Sequence, residues 1–170
     1  MKIPDMLVST CRSPGPADGD WHDFLKYMRA IGFSEAQVLQ LRTIDRQLLK
    51  TLGRVESAPA APESSMDALP APAGANEFYL LAINRDGAFA DFVPRGWMLV
   101  GHDLSDESLT SSLLNCGPWT GGLRPIFERL NSHGLLTEED SRMAQKLLPV
   151  EWGDAEPHAH TVVWALYERR

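Results

Sequence analysis

The sequence predicts an α+β fold: an antiparallel sheet with helices packed on one face, plus an N-terminal helical hairpin. Two runs of aromatic and β-branched residues, 77–83 and 160–168, have the composition of strands. Three segments with the 3.6-residue period of amphipathic helices lie between them. Strands that enclose a helical block are typical of an antiparallel sheet covered by helices.

The N-terminal part predicts two helices in residues 20–53. The first ends at Gly32, and the second begins with a capping box formed by Ser34 and Gln37. Gly53 ends the second helix. Two short amphipathic helices bury little surface against each other, so their apolar stripes should lie on the main domain, on a second copy of the chain or on a partner.

Residues 55–76 have the composition of a flexible linker. They contain four prolines and no apolar periodicity that could build a core. The chain is therefore expected to have an N-terminal helical segment (1–54), a linker (55–76) and an α+β domain (77–170).

The α+β domain is predicted to open with three strands. The run 77–83 ends in the turn-forming residues 84–87, which predicts a hairpin whose second arm is 88–92. A third strand is expected at 97–103, where apolar residues occupy both faces. The final strand, 160–168, should pair with one of these three.

Three helices are expected between the third strand and the last. Ser105 is positioned to cap a helix that extends through Leu114, and a second helix follows over 123–134. The third begins at Thr137, with acidic residues in its first turn, and is expected to stop at Pro149.

Charge is unevenly distributed along the chain. Residues 77–170 contain 14 acidic and 8 basic side chains, a net charge of −6. A surface of this sign repels nucleic acid and anionic lipid, and it favours a basic protein as partner. Six acidic residues are candidates for such a binding face, although each also fits an ordinary solvated helix start: Asp103, Asp106, Glu107, Glu138, Glu139 and Asp140.

The two cysteines, Cys11 and Cys116, form neither a metal-binding pair nor a disulfide framework, which indicates a cytoplasmic protein. Pro4 and Asp5 interrupt the apolar run before Cys11, so we expect no secretion signal. No apolar run reaches the roughly 18 residues that a membrane-spanning helix needs.

The segment that enters the last strand contains four candidate metal ligands. If it is extended, alternation places Asp154, Glu156, His158 and His160 on one face, where they could hold Zn²⁺ or a similar ion. The alternative is a solvent-exposed pair of histidines without metal. No other cofactor is expected.

Cys116 is a candidate nucleophile. A lone cysteine needs a histidine within hydrogen-bond reach and a group that orients the histidine. His102, His133, His158 and His160 could serve as the base, and Asp103 could orient one of them. The alternative is a buried, inert cysteine at a helix end.

Three stretches carry a family resemblance: GWMLVGHDLSDESLTSSLLNCG, LRPIFERLNSHGLLTEEDSRMAQKLL and PHAHTVVWALYE. They cover about residues 96–168 and look like small uncharacterised bacterial α+β proteins. Some small acidic bacterial proteins of this kind are immunity factors that neutralise toxins. The resemblance implies protein binding and assigns no role to individual residues.

The expected function is therefore a non-enzymatic protein-binding module of immunity or inhibitor type, with an acidic binding face. The alternative is a small metal- or Cys-dependent enzyme that uses the histidines of 158–160 or Cys116. Association between copies through the N-terminal helices remains open.

Overall fold

The computed structural model of the protein describes residues 3–12, 77–109, 111–115, 117–131 and 133–169. The predicted helical hairpin and linker lie outside these residues, as does Cys116. The α+β domain is described almost completely.

Four antiparallel strands form one sheet. They are β1 (Met6–Arg12), β2 (Glu77–Asn84), β3 (Met98–Ser105) and β4 (Val162–Arg169). The spatial order is β1-β2-β4-β3, so the last strand lies between β2 and β3 and pairs with both. The predicted antiparallel α+β architecture is confirmed, with the edge strand β1 as an addition that the sequence did not predict.

The prediction of a strand at 88–92, as the second arm of a hairpin, is wrong, because the segment forms consecutive turns. The Asn84 side chain accepts the backbone N–H two residues further on at 2.9 Å, which starts a tight turn. The Arg85 guanidinium then donates to the backbone oxygens of Ala90 and Phe92. These side-chain contacts take up backbone acceptors that a strand would have used.

The helices are shorter or longer than predicted. They are α1 (Ser112–Asn115), α2 (Arg124–Phe127) and α3 (Glu138–Trp152), with single 3₁₀ turns at Gly121–Leu123 and Pro157–Ala159. The predicted helix from Ser105 to Leu114 is helical only at its end. Asp106 accepts the backbone N–H of Ser108 at 2.7 Å, and this turn delays the helix.

The second predicted helix, 123–134, also stops early, at Phe127. The side-chain oxygen of Asn131 accepts the backbone N–H groups of His133 and Leu135 at 2.9 and 3.0 Å, and these bonds close a loop in place of the last helical turns.

The helix α3 begins where the sequence predicts, but it ends later than predicted. Thr137 caps the helix by accepting the backbone N–H of Asp140 at 3.1 Å. The stop expected at Pro149 is wrong, because the helix continues to Trp152 and ends at Gly153. A proline this close to the end removes only one helical hydrogen bond, and Gly153 closes the helix by donating to the Pro149 oxygen at 3.1 Å.

The two faces of the sheet have different surroundings. The face that carries Leu104 and Val163, here called the α3 face, packs against Ala144 and Leu148 of α3. Further along this face, the segment 85–97 contributes aromatic side chains that cover the sheet. The opposite face carries an apolar layer from all four strands, including Leu7, Leu80, Ala82, Trp164 and Leu166.

Candidate functional site

The predicted metal ligands do not share one face. Residues 154–160 form a turn and a 3₁₀ helix, so the expected extended conformation is wrong. His160 Nε2 lies 2.8 Å from the backbone oxygen of Asp154, and Glu156 accepts the backbone N–H of His158 at 3.3 Å. Among the described residues, no three His, Cys, Asp or Glu side chains converge as a metal site.

His158 is instead held by Asp106, 52 residues away in sequence. Its Nδ1 contacts the Asp106 carboxylate, whose side chain is 10% exposed while the imidazole is 50% exposed. Burial raises the pKa of Asp106, but hydrogen bonds from Ser108 and His158 outweigh this effect and leave the pKa below its usual range. The ionised carboxylate fixes the orientation of the ring, which is what a general base requires.

The six acidic residues predicted for a binding face divide into two groups. Three of the residues are buried and have partners inside the domain: Asp103, Asp106 and Asp140. Three are exposed: Glu107, Glu138 and Glu139. The structure therefore does not bring all six to one surface. The exposed three stay candidates for contact with a partner, and we call them the acidic surface: Glu138 and Glu139 begin α3, and Glu107 lies in the turn after β3.

The histidines proposed for Cys116 lie in different environments. His102 is buried on β3, whereas His133, His158 and His160 are exposed. Successive strand residues point to opposite faces, so Asp103 faces away from the neighbouring His102 ring and does not orient it. Cys116 lies outside the described residues, and its reactivity stays a prediction.

A buried polar cluster lies on the α3 face around Ala165. It consists of Arg85, Trp97, His102 and Tyr167, and we call it the donor cluster. Arg85 Nη2 donates to the Tyr167 hydroxyl at 2.8 Å, and the guanidinium carbon is 5.9 Å from the centre of that ring. His102 pairs with Ala165 across the strands. Trp97 packs against the apolar group that contains Ala165 and Tyr167.

Buried nitrogen atoms of the donor cluster lack hydrogen-bond partners among the described residues. They are Nε of Arg85, Nε1 of Trp97 and both ring nitrogens of His102. The Arg85 guanidinium donates only to neutral oxygens, and no described carboxylate forms an ion pair with it. Each unsatisfied buried donor costs about 1–3 kcal/mol, so a cluster of them requires an explanation.

The environment of His102 keeps its ring neutral. The side chain is 4% exposed, and Nε2 lies 3.7 Å from the Glu138 carboxylate. Burial lowers the pKa of His102. The carboxylate of Glu138 opposes this effect, whereas Arg85 and Arg142 add to it, and the pKa stays below its usual value. A neutral imidazole offers one N–H donor and one acceptor.

Asp86 ties the turn after β2 to α3 and thereby positions the donor cluster. Its carboxylate contacts Arg142 and accepts bonds from Gln145 at 2.8 Å and the backbone of Val163 at 3.1 Å. Burial raises the pKa of Asp86, but these hydrogen bonds outweigh it and lower the pKa. Arg142 also donates to the Arg85 backbone oxygen at 2.9 Å, which fixes the start of the Arg85 side chain.

Arg85, Trp97 and Tyr167 were not among the sequence-predicted site residues. Arg85 lies in a predicted turn, and the other two lie in predicted strands, where aromatic residues are common. The one available signal was a charged Arg-Asp pair between two apolar runs, because isolated charges in such a position often mark a buried polar contact.

No protein-family model matches the sequence, and no curated protein or solved structure shows significant similarity to it. No helix in the described part of the chain is long and apolar enough to cross a membrane. The function must therefore be argued from the side chains themselves.

Proposed function

We propose that the chain is a non-enzymatic protein-binding module of immunity or inhibitor type, whose acidic surface meets a basic partner. One observation carries the proposal: three arginines of the domain are used in internal ion pairs. Arg124, Arg129 and Arg142 each pair with a carboxylate of the same domain. Glu138 and Glu139 remain exposed at the start of α3, and no described Lys or Arg forms an ion pair with either.

Exposed carboxylates without cationic partners act at long range. They raise the encounter rate with a basic protein and contribute specificity more than affinity. Salt screens this attraction, because the Debye length falls from about 10 Å at 0.1 M to about 3 Å at 1 M ionic strength. A partner held in this way should be released by salt.

The experiment is affinity capture from the native cell, with a matched pair of variants. The test variant replaces Glu107, Glu138 and Glu139 with Gln. The control removes the same charge from three exposed residues elsewhere: Asp91→Asn, Glu128→Gln and Asp154→Asn. Wild type and control should recover one dominant basic protein that salt releases, and the test variant should lose it. Capture of no enriched protein, or equal capture by the test variant, would contradict the proposal.

The second candidate is a small metal- or Cys-dependent enzyme, and the Asp106–His158 pair favours it. A carboxylate that holds one ring nitrogen of a histidine is the usual outer partner of a metal-binding imidazole. Metal analysis of tag-free protein, purified without chelator, tests the metal form of this candidate. Stoichiometric zinc that is lost in His158→Gln would favour it over the binding module, and metal-free protein would rule out that form.

A further inference from the structure

We infer that the donor cluster binds a small anionic group, a carboxylate or a phosphate, held by Arg85, His102 and Trp97 between the sheet and the segment 85–97. The inference does not depend on a protein partner, although Glu138 of the acidic surface lies beside His102. It rests on buried, unpaired donors on three residues that neighbour Ala165 and Tyr167.

The guanidinium of Arg85 lacks a counter-charge in the described part of the chain. It is partly buried, and its Nη atoms donate to two backbone oxygens and to the Tyr167 hydroxyl. None of these acceptors carries a charge, and no described carboxylate pairs with the guanidinium. A buried cation without a counter-charge is costly, and an anion would offset that cost through charge-assisted hydrogen bonds.

The unpaired atoms are hydrogen-bond donors. Arg85 Nε and Trp97 Nε1 can only donate, and the His102 imidazole has one N–H to donate. The His102 side chain is 4% exposed, and the Leu136 backbone lies beside its ring, but neither ring nitrogen has a hydrogen bond of good geometry with a described residue. Three unpaired donors in one region of the domain suit the several lone pairs of a carboxylate or phosphate, which accepts hydrogen bonds and donates none.

Access to the donor cluster is through the segment 85–97. The unpaired atoms are closed to solvent, but the side chains of Arg85 and Trp97 are partly exposed. Both belong to the segment between β2 and β3, which has neither helix nor strand between Arg85 and Trp97. A ligand therefore enters by displacing the Trp97 ring, while Asp86 and Arg142 hold the other end of the segment on α3.

Glu138 makes it possible to test the sign of the ligand's charge. Its carboxylate lies 3.7 Å from His102 Nε2, which is too far for a hydrogen bond, and its side chain is 52% exposed. An anion in the donor cluster would be repelled by this charge. Glu138→Gln should therefore bind the anion more tightly than wild type, and Arg85→Met should bind it more weakly.

The test is isothermal titration calorimetry of the full chain at constant ionic strength, with inorganic phosphate in one arm and acetate in the other. One arm should show binding to a single site, and the arm that does so identifies the ligand class. Arg85→Met should weaken it at least about tenfold, because one charge-assisted hydrogen bond contributes roughly 1.5–3 kcal/mol. Glu138→Gln should strengthen binding.

Trp97→Phe is the second test variant, because it keeps an aromatic ring in place while it removes the indole N–H together with part of the ring system. It should weaken binding several-fold. Arg124→Gln removes an exposed Arg outside the donor cluster and should leave binding unchanged. The inference is overturned if neither anion binds wild type, if Trp97→Phe and Arg85→Met bind as wild type does, or if Arg124→Gln weakens binding equally.

Discussion

Replacing Trp119 with alanine should remove the central side chain of the core beneath α3. Trp119 is fully buried, and its Nε1 donates to the Ser112 backbone oxygen at 3.1 Å. Its ring contacts Phe127, with ring centres 5.2 Å apart, and meets Trp152 edge-on at 5.9 Å. One substitution therefore removes a large apolar volume, a hydrogen bond and two aromatic contacts.

The size of the effect follows from these contacts. Truncation of a buried Trp to Ala costs about 3–5 kcal/mol. Each aromatic pair contributes about 0.5–1.5 kcal/mol beyond its buried area, which places Trp119→Ala at the upper end of that range. With a urea slope of about 2 kcal/mol per molar, the unfolding midpoint should fall by about 2 M. The total free energy of unfolding of most small domains is only about 5–15 kcal/mol.

The assay is urea unfolding followed by far-UV circular dichroism. Trp119→Phe, which retains a ring, should lie between wild type and Trp119→Ala. The control is Val93→Ala, because Val93 is 69% exposed and its loss should change stability by less than about 0.5 kcal/mol. If the free energy of unfolding of Trp119→Ala is within about 1 kcal/mol of the wild-type value, the assignment of Trp119 to the core is refuted.

Three further perturbations test other parts of the fold. Thr137→Ala should cost about 1 kcal/mol in urea unfolding through loss of the α3 cap, and Thr137→Ser should not; an equal loss in both would exclude capping as the cause. Because the folded pKa of Asp86 is lowered, its stabilisation is present above about pH 4 and is lost as the pH falls through the folded value. Asp86→Asn should thus be less stable at neutral pH and show a flatter acid profile, and an unchanged profile would argue against this role. His102 also has a lowered pKa, so the unfolded chain takes up the proton first and stability should fall as the pH drops below about 6.5. His102→Gln should reduce that slope in urea titrations, whereas a slope equal to wild type would contradict it.

The sequence predicts a strand correctly where most residues of the segment, and not only alternate ones, are apolar. Residues 77–83, 97–103 and 160–168 are each rich in apolar residues, and the structure has a strand over most of each range. The alternating run 88–92 looked equally suitable, but Asn84 and Arg85 bond to backbone groups and hold it in turns. Such side-chain competition depends on geometry that local patterns do not encode.

The donor cluster could not be predicted from spacing. Arg85 follows β2, His102 lies on β3 and Tyr167 on β4. These side chains meet only because β4 inserts between β2 and β3, and local patterns do not reveal which strand will be central. The common face considered for the metal ligands required an extended chain at 154–160, where the structure has a turn followed by a 3₁₀ helix. Metal binding itself stays a prediction.

The position of β4 in the sheet also constrains how the domain is assembled. The sheet order β1-β2-β4-β3 gives β2 and β3 no direct contact, and their common neighbour is the last of the described elements to be synthesised. Until the ribosome has delivered residues 162–169, the β2 and β3 edges that β4 will occupy stay open. Contacts between residues about 80 positions apart, such as Ile83 with Ala165, must then form, and such long-range pairing slows folding. The domain should therefore acquire its native sheet in one late step.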